Sequence, residues 1–240
     1  MADNISVKIL FKTKDADGKT GEEEKTVTEE YSVREYIRGF KASENRYDAP
    51  TRKLVQALAD YGHYAQIYLS EARGWTLGTE EENPDHVAMD DYGYATKKYT
   101  SADKTTAKNG VAGKGISVTR SSKIEKVTYS LSLASDTSIS LYFTPANGYT
   151  GGATATLDGK AVAVTKTGGR FKVVIPNIPA PELGDMHTVR LVTAGKVTTV
   201  KVSALSYANT ILSSSTKDTE INAMTAFYRY YEAAVNVFKG

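Results

Sequence analysis

Hydrophobic and polar residues alternate along two short segments near the N terminus. Residues 5–11 (ISVKILF) alternate in part, and a second run of this kind passes through residues 26–28 (TVT). Between them stands Asp17-Gly18, and glycine readily takes the positive φ angle of a tight hairpin turn. The pattern predicts a β-hairpin over residues 5–30. A calcium loop is the weaker alternative, because the glycine comes too early after the first aspartate and no closing glutamate has the required spacing.

From Tyr31 onwards the apolar residues recur at three and four positions instead of two. Ser32 is a suitable N-cap for a short helix, which ends near Phe40. Thr51 is predicted to cap a longer helix. Its apolar residues share one side: Leu54, Leu58, Tyr61, Ala65, Tyr68 and Leu69. A helical hairpin therefore follows the predicted β-hairpin.

Residues 73–115 follow neither period. They contain the only tryptophan, an acidic cluster and several tyrosines, together with many glycines, lysines and threonines. Irregular segments of this length are uncommon inside a compact domain and are usually functional or mobile. We predict an irregular loop, acidic and aromatic in composition, that leads from the helices to the next region.

Residues 116–202 return to a strand pattern. The runs rich in β-branched and aromatic residues are 124–133, 138–144, 153–157, 161–165, 171–175, 188–193 and 197–202. Turn-forming pairs separate them, among them Asn147-Gly148, Asp158-Gly159 and Ala194-Gly195. Short strands at this spacing are typical of a sandwich or a barrel. The pattern predicts an antiparallel β-region with seven or more strands.

The helical period returns at the C terminus. Residues 203–212 predict a short helix, and Asp218 is suited to cap a long one. The apolar side of the long helix is formed by Ile221, Met224, Phe227, Tyr228, Tyr231, Val235 and Phe238. Residues 187–238 thus contain a β-hairpin, a short helix and a long helix, in the order already predicted for the N terminus.

This repeated order suggests an internal duplication. Three pairs in the long helices match at a common offset of 167 residues: Leu54 with Ile221, Tyr61 with Tyr228 and Tyr64 with Tyr231. Composition alone could produce the shared tyrosines, so the order of the elements is the stronger indication. Two helical hairpins with apolar faces can cover each other by packing together.

The pattern as a whole predicts an α+β fold. An antiparallel β-sandwich-like region carries an N-terminal and a C-terminal helical hairpin, and the two hairpins pack together. In this prediction residues 1–72 plus 203–240 form one discontinuous helical unit with flanking β-hairpin strands. Residues 73–115 form the irregular loop, and residues 116–202 form the inserted antiparallel β-region.

Composition and charge narrow the possible partners. The chain has 16 tyrosines and no cysteine, so it has no disulfide framework and no thiolate site. Its net charge of +2 is too small to favour nucleic acid, and no segment holds the roughly 20 apolar residues of a membrane span. The charge is divided unevenly, with 14 Lys+Arg against 19 Asp+Glu in residues 1–100 and 16 against 9 in residues 101–240. Two solvated faces of opposite sign explain this division most simply.

Four segments of the predicted helices carry a family resemblance: 31–37 (YSVREYI), 54–68 (LVQALADYGHYAQIY), 205–208 (LSYA) and 226–234 (AFYRYYEAA). They resemble a poorly characterised domain of long secreted and cell-surface proteins of gut Firmicutes, such as relatives of Ruminococcus and Eubacterium. The resemblance extends from about residue 31 to 238 and is strong only in the helices. It implies an extracellular, bacterial cell-surface context with neighbouring domains. It supplies no catalytic residues.

The residues offer little material for catalysis. His63, His86 and His187 lie in a predicted helix, the acidic loop and the start of a strand, and no serine stands in a GxSxG motif. His86 beside Asp85 has a metal-like composition, but no second histidine lies at ligand spacing. We predict no catalytic residue, no metal and no cofactor. The paired carboxylates of a glycosidase would come together only in the fold, so a glycan-active enzyme stays an alternative.

Aromatic residues in the predicted loop are the first candidates for a binding site. They are Trp75, Tyr92, Tyr94 and Tyr99. Rings offer a large contact area at low entropic cost and can stack on sugars. The alternative is that they anchor the loop to the rest of the protein. A second candidate lies near Tyr142, Phe143 and Tyr149, where Asn147-Gly148 forms an exposed turn.

These observations predict a non-catalytic, extracellular binding or adhesion module of a bacterial surface protein. The expected ligand is a host glycoprotein, such as an immunoglobulin, or a glycan. One alternative is an architectural spacer in a multidomain protein, which would present no exposed aromatic patch. The other is the glycan-active enzyme, which would need a deep pocket with convergent titratable groups.

Overall fold

The computed structural model describes residues 2–14, 20–74, 93–133 and 137–240. The chain forms two compact units, Met1–Thr96 and Lys97–Gly240. Helices and antiparallel sheets occupy separate parts of the sequence, so the predicted α+β class is confirmed. No helix in the described part of the chain is both long and apolar enough to cross a bilayer.

The first unit begins with the predicted hairpin. Strand β1 (Ala2–Lys14) pairs antiparallel with β2 (Thr20–Ser32), in a register that runs from Ala2 opposite Ser32 to Lys14 opposite Thr20. The predicted turn at Asp17-Gly18 lies outside the described residues. The hairpin itself is confirmed.

Two helices follow the hairpin. Helix α1 (Val33–Ala42) leads through a short 3-10 turn (Glu44–Arg46) to α2 (Ala49–Arg73). The predicted cap of α2 at Thr51 is wrong by one turn, because the Asp48 side chain accepts a hydrogen bond from the backbone N–H of Thr51 at 2.8 Å. Gly74, with a φ of 67°, ends the helix in the left-handed conformation.

A small apolar cluster holds this helical hairpin together. Ile37 and Phe40 of α1 are buried against Val55 and Ala59 of α2. Phe40 also stacks on Tyr47, with ring centroids 4.2 Å apart. The helical spacing predicted Val33, Tyr36, Ile37 and Phe40 on one apolar side. Ile37 and Phe40 are buried as predicted, whereas Val33 and Tyr36 are exposed.

The second unit begins with a helix that the sequence prediction missed. Helix α3 (Ser101–Val111) lies within residues 73–115, which were predicted to be irregular throughout. Thr100 and Asp103 form a reciprocal capping box at its start, and only Ala107 and Val111 of the helix are buried. Two buried residues produce no visible period, so the capping residues were the available signal. The predicted loop residues 75–92 lie outside the described part of the chain.

The strands of the second unit form two antiparallel sheets. They are β3 (Ser117–Thr119), β4 (Ile124–Leu133), β5 (Thr137–Pro145), β6 (Ala153–Leu157), β7 (Lys160–Val162), β8 (Thr165–Thr167), β9 (Arg170–Ile175), β10 (His187–Thr193) and β11 (Lys196–Val202). One sheet has the order β3-β11-β10-β6-β7 and the other has the order β4-β5-β9-β8. The predicted antiparallel β-region is confirmed.

Strict alternation along the strands builds the core between the sheets. The inward residues of the four-stranded sheet include Ile139, Leu141, Phe143, Phe171, Val173 and Ile175, all at most 2% exposed. Val189, Leu191, Val200 and Val202 are fully buried apolar residues of the five-stranded sheet. Asp158-Gly159 and Ala194-Gly195 both take positive φ angles and form the predicted tight turns.

Two helices complete the second unit. Helix α4 (Ala204–Ser214) and α5 (Asp218–Phe238) pack against each other and against α3. Asn209 of α4 donates a hydrogen bond to the carbonyl oxygen of Val111 at 2.7 Å. Asp218 is the first residue of α5 and not its cap; it lies 2.8 Å from the ammonium group of Lys104 on α3.

The boundaries of the compact units differ from the predicted domains. Residues 203–240 belong to the same unit as the β-region, whereas the prediction grouped them with residues 1–72. Within this unit α3 contacts both α4 and α5. The discontinuous unit of residues 1–72 plus 203–240 stays a prediction. The repeated order of hairpin, short helix and long helix is present in the structure. Internal duplication and the packing of one helical hairpin on the other stay predictions.

A polar network joins the start of α3 to the middle of α5. The Asp103 carboxylate accepts hydrogen bonds from the backbone N–H and hydroxyl of Thr100 and from Lys97 and Arg229. Arg229 also bridges to Glu232 at 2.7 Å. The Thr100 hydrogen bonds are the largest cause that holds the pKa of Asp103 well below its usual range. Burial, followed by the charge of Glu232, raises the pKa of Tyr228 to about 12.

Replacing Asp103 with asparagine should lower the free energy of unfolding at pH 7 by about 1–2 kcal/mol, since a helix cap and a partner of Arg229 lose their charge. The folded protein favours ionised Asp103. Its stabilisation is therefore complete above the unfolded-state pKa of about 4 and is lost as the pH falls towards the lower folded value. Urea unfolding between pH 7 and pH 3 should show a smaller loss on acidification for the variant than for the natural chain. Asp185→Asn, which breaks an exposed pair with Lys239, is the control and should change stability little.

Gly110→Ala should destabilise the second unit by about 1–3 kcal/mol, because the added Cβ meets the buried ring of Tyr228 and overpacks the contact between α3 and α5. Helix propensity alone predicts the opposite, a gain of about 1 kcal/mol. Thermal unfolding distinguishes the two. Gly113→Ala is the matched control, since a Cβ there meets nothing within 4 Å. Equal stability of both variants would contradict this helix contact.

Thr193→Val should raise the free energy of unfolding by about 1 kcal/mol, because the Thr193 hydroxyl is fully buried and has no hydrogen-bond partner among the described residues. Thr198→Val is the matched opposite. Thr198, equally buried on the neighbouring strand, accepts from the backbone N–H of Ser121 and donates to its hydroxyl, both at 3.0 Å. Chemical denaturation should therefore show stabilisation by the first substitution and destabilisation by the second. Destabilisation by both would show that a water molecule or another group satisfies Thr193.

Candidate functional site

The structure describes two of the four aromatic residues predicted to form a binding site. Trp75 and Tyr92 lie outside the described residues. Tyr94 belongs to the first compact unit and Tyr99 to the second. The predicted grouping of these four rings therefore stays a prediction.

Tyr94 contacts the helical hairpin of the first unit. Its half-buried ring packs against the cluster of Ile37 and Phe40, and the Lys41 ammonium lies 4.7 Å from the ring centroid. Its hydroxyl donates to Glu44 at 3.4 Å. Burial and the Glu44 carboxylate raise the pKa of Tyr94. These contacts fit the alternative in which the ring anchors the chain.

Tyr99 has a simpler environment. Its half-buried ring lies one residue before the cap of α3, with the Lys97 ammonium 5.6 Å from its centroid. Lys97 also pairs with Asp103 at 3.1 Å. Tyr99 is therefore placed beside the capping network of α3.

The second candidate region divides into three different environments. Phe143 is fully buried in the core between the sheets. Tyr149 lies edge-on to Phe171, and its hydroxyl donates to the carbonyl oxygen of Gly152 at 2.5 Å. Tyr142 has the opposite orientation to its neighbours on β5. It stands on the outer surface of the four-stranded sheet and is only partly buried.

The pairing register places Tyr142 in a row that crosses all four strands. Thr128 of β4 is opposite Tyr142 of β5, Lys172 of β9 is opposite Tyr142, and Thr165 of β8 is opposite Lys172. Directly opposite residues in antiparallel strands point to the same face. We call the outer surface that carries Thr128, Ser130, Ser140, Tyr142, Arg170 and Lys172 the Tyr142 face.

Two cations lie close to the Tyr142 ring. The Arg170 guanidinium carbon is 4.7 Å from the ring centroid, and the Lys172 ammonium nitrogen is 5.7 Å from it. At these distances the ring quadrupole attracts both groups. Neither cation lies within salt-bridge distance of a carboxylate in the described part of the chain. Their charges are thus held in place by the ring without being neutralised.

The strands around the ring contribute hydroxyl groups and few acids. Glu125, at a bulge in β4, is the only carboxylate in β4, β5, β8 and β9, whereas Lys126 adds another cation opposite Thr144. A hydrogen bond from the Ser130 hydroxyl, followed by the charges of Lys172 and Arg170, lowers the pKa of Tyr142. The two cations therefore contribute to this shift, but the hydrogen bond from Ser130 is its largest cause.

His187 and His63 lie in structural surroundings. His187 Nδ1 lies 2.9 Å from the Asp158 carboxylate, whose other oxygen accepts from the backbone N–H of Thr188 at 2.7 Å. These contacts join the turn after β6 to the start of β10. His63 lies edge-on to Tyr64, and burial lowers its pKa. His86 lies outside the described residues, and within the described ranges no group of three or more acidic or histidine side chains could hold a metal.

Sequence reasoning named Tyr142 but missed Arg170 and Lys172. Tyr142 lies in the predicted strand 138–144, and Lys172 lies in the predicted strand 171–175. The register between β5 and β9, which the sequence does not give, makes them neighbours. The sequence therefore shows the residue types of this site, but the strand pairing that brings them together is visible only in the structure.

Comparisons with protein-family models, with curated proteins and with solved structures found no match for this chain. The resemblance to a surface domain of gut Firmicutes accordingly stays a prediction.

Proposed function

We propose that this chain is a non-catalytic binding module that takes its ligand on the Tyr142 face. The observation that carries the proposal is the ring of Tyr142 with Arg170 and Lys172 at 4.7 and 5.7 Å, outside the core and without a carboxylate partner among the described residues. The ligand class is a glycan or a host glycoprotein, and the proposed location is the surface of a bacterial cell.

Strand geometry favours binding at this face. The Tyr142 ring and its two cations belong to adjacent paired strands, so the backbone positions of all three are fixed before a ligand arrives. The two cations also contact the ring, which restricts their side chains. Side chains that are already restricted lose little conformational entropy on binding, so more of the interaction free energy contributes to affinity. An extended sheet surface also suits a long or branched ligand better than a small substrate that must be enclosed.

This placement differs from the first site expected from the sequence. Tyr94 already uses its ring against α1 and its hydroxyl towards Glu44, so less of it is available to a ligand. Tyr142 has no comparable role in the core. The proposal therefore prefers the second candidate region to the aromatic residues of 73–115.

A binding screen tests the proposal. The purified chain is applied to a glycan array and to a panel of host secretory proteins, together with Tyr142→Ala and Arg170→Ala. We expect a saturable hit that each substitution weakens by about tenfold or more, as for the central residues of other interfaces. Arg190→Ala is the matched control, because Arg190 stands on the outer side of the other sheet between Thr156 and Thr199.

Two outcomes would contradict the proposal. Trp75→Ala and Tyr94→Ala are screened as well. A hit that only these two substitutions weaken would show that the binding site is not the Tyr142 face. The second outcome is that protein with an intact cooperative unfolding transition binds to neither panel. This result would contradict the binding function and favour the architectural spacer.

A further inference from the structure

The charge of the Tyr142 face narrows the chemistry of its ligand. Arg170, Lys172 and Lys126 stand on this surface, and Glu125 is the only acid in its four strands. The second unit as a whole carries 18 Lys+Arg against 9 Asp+Glu. A positive surface of this kind attracts anionic ligands and disfavours cationic ones.

The Tyr142 ring has a different role from an open sugar-stacking platform. A guanidinium group lies 4.7 Å from its centroid, so part of the ring is already occupied by Arg170. A neutral sugar that stacked there would have to displace this cation. A ligand with a carboxylate would use the arrangement as it stands, because an arginine fork binds a carboxylate through two parallel hydrogen bonds.

Hydroxyl groups extend the site on both sides of the cations. The row Thr128, Tyr142, Lys172 and Thr165 crosses four strands, and strands lie about 4.8 Å apart, so the row is about 14 Å long. Ser130 and Ser140 stand opposite each other in the next row. Threonine and serine hydroxyls can both donate and accept, which suits the hydroxyls of a short oligosaccharide.

The same surface is poorly suited to a protein ligand. Val174, which is 38% exposed, is the exposed aliphatic residue on the outer side of β9. Protein interfaces depend on apolar or aromatic anchors that enter well-packed pockets. A row of small hydroxyls with two cations at its centre lacks such an anchor.

We infer that the ligand of the Tyr142 face is an acidic oligosaccharide, laid across the four strands with a uronate carboxylate against Arg170 and Lys172. This inference rests on the proposed binding function. Arg170 receives the carboxylate through its guanidinium fork, Lys172 adds a second positive charge, and Thr128 and Thr165 contact the neighbouring sugars. The Tyr142 ring positions Arg170.

The test compares two ligands that differ only in charge. The full chain is titrated calorimetrically with a tetramer of α-1,4-linked galacturonate and with the same tetramer after methyl esterification of its carboxylates. We expect the acid to bind and the ester to bind at least about tenfold more weakly, because each charged hydrogen bond that is lost corresponds to one or more factors of ten. Binding of the acid should also weaken as salt is raised from about 50 to 300 mM.

Variants assign the carboxylate to its partners. Arg170→Ala and Lys172→Ala should each weaken binding of the acid, Arg170 by more, and should leave the residual affinity for the ester unchanged. Arg170→Lys keeps the charge but removes the fork, so it should restore only part of the affinity. Arg190→Ala and Lys201→Ala on the other sheet are the controls and should remain within about twofold of the natural chain, since they lie away from the row.

The remaining outcomes separate this inference from the proposed function. Equal binding of acid and ester that still depends on Tyr142 would overturn the acidic ligand and leave the binding module intact. Equal binding of polyglutamate would overturn the oligosaccharide in favour of a nonspecific anion surface. Absence of binding to every probe would overturn the inference, and the proposed function would then depend on the broader screen alone.

Discussion

The pairing register between β5 and β9 is the constraint on which the second unit and its outer surface depend. Phe143 stands opposite Phe171 and Leu141 opposite Val173, so four large side chains point into the core together. A slip of β9 by one residue would bring Phe171 and Val173 to the surface and bury Arg170 and Lys172. The burial of unpaired charges costs a large amount of free energy, so this alternative register is strongly disfavoured. The core therefore fixes the Tyr142 face, although no residue of that face contributes to the core.

The helices of the second unit depend on close approach and on charge. α3 has little apolar surface of its own, and Gly110 lets it approach the ring of Tyr228. Asp103 then ties the beginning of α3 to Arg229 of α5 while it also caps the helix. A single carboxylate thereby orders a local helix end and a tertiary contact. This combination explains why a short helix with only two buried residues is part of the fold.

The proposed ligand site uses the surface that folding leaves free. Inward positions of the strands are committed to packing, so the outward positions can carry hydroxyls, a ring and cations without loss of stability. The quadrupole of the Tyr142 ring attracts both nearby cations. Arg170 and Lys172 are therefore held near each other despite their like charge. An incoming carboxylate would relieve that repulsion, which gives the face its proposed selectivity.

The sequence by itself determined the local elements whose residues repeat with a clear period. Alternation gave the strands of 116–202, positive-φ pairs such as Asp158-Gly159 gave the turns, and helical spacing gave α1, α2, α4 and α5. It missed α3, because capping at Thr100 and Asp103 leaves no apolar period. Tertiary structure alone decided which strands pair, that residues 203–240 belong with the β-region, and that Arg170 and Lys172 lie beside Tyr142. Periodicity reports which side of an element is buried, whereas the partner that buries it is chosen by long-range packing, which a local pattern does not encode.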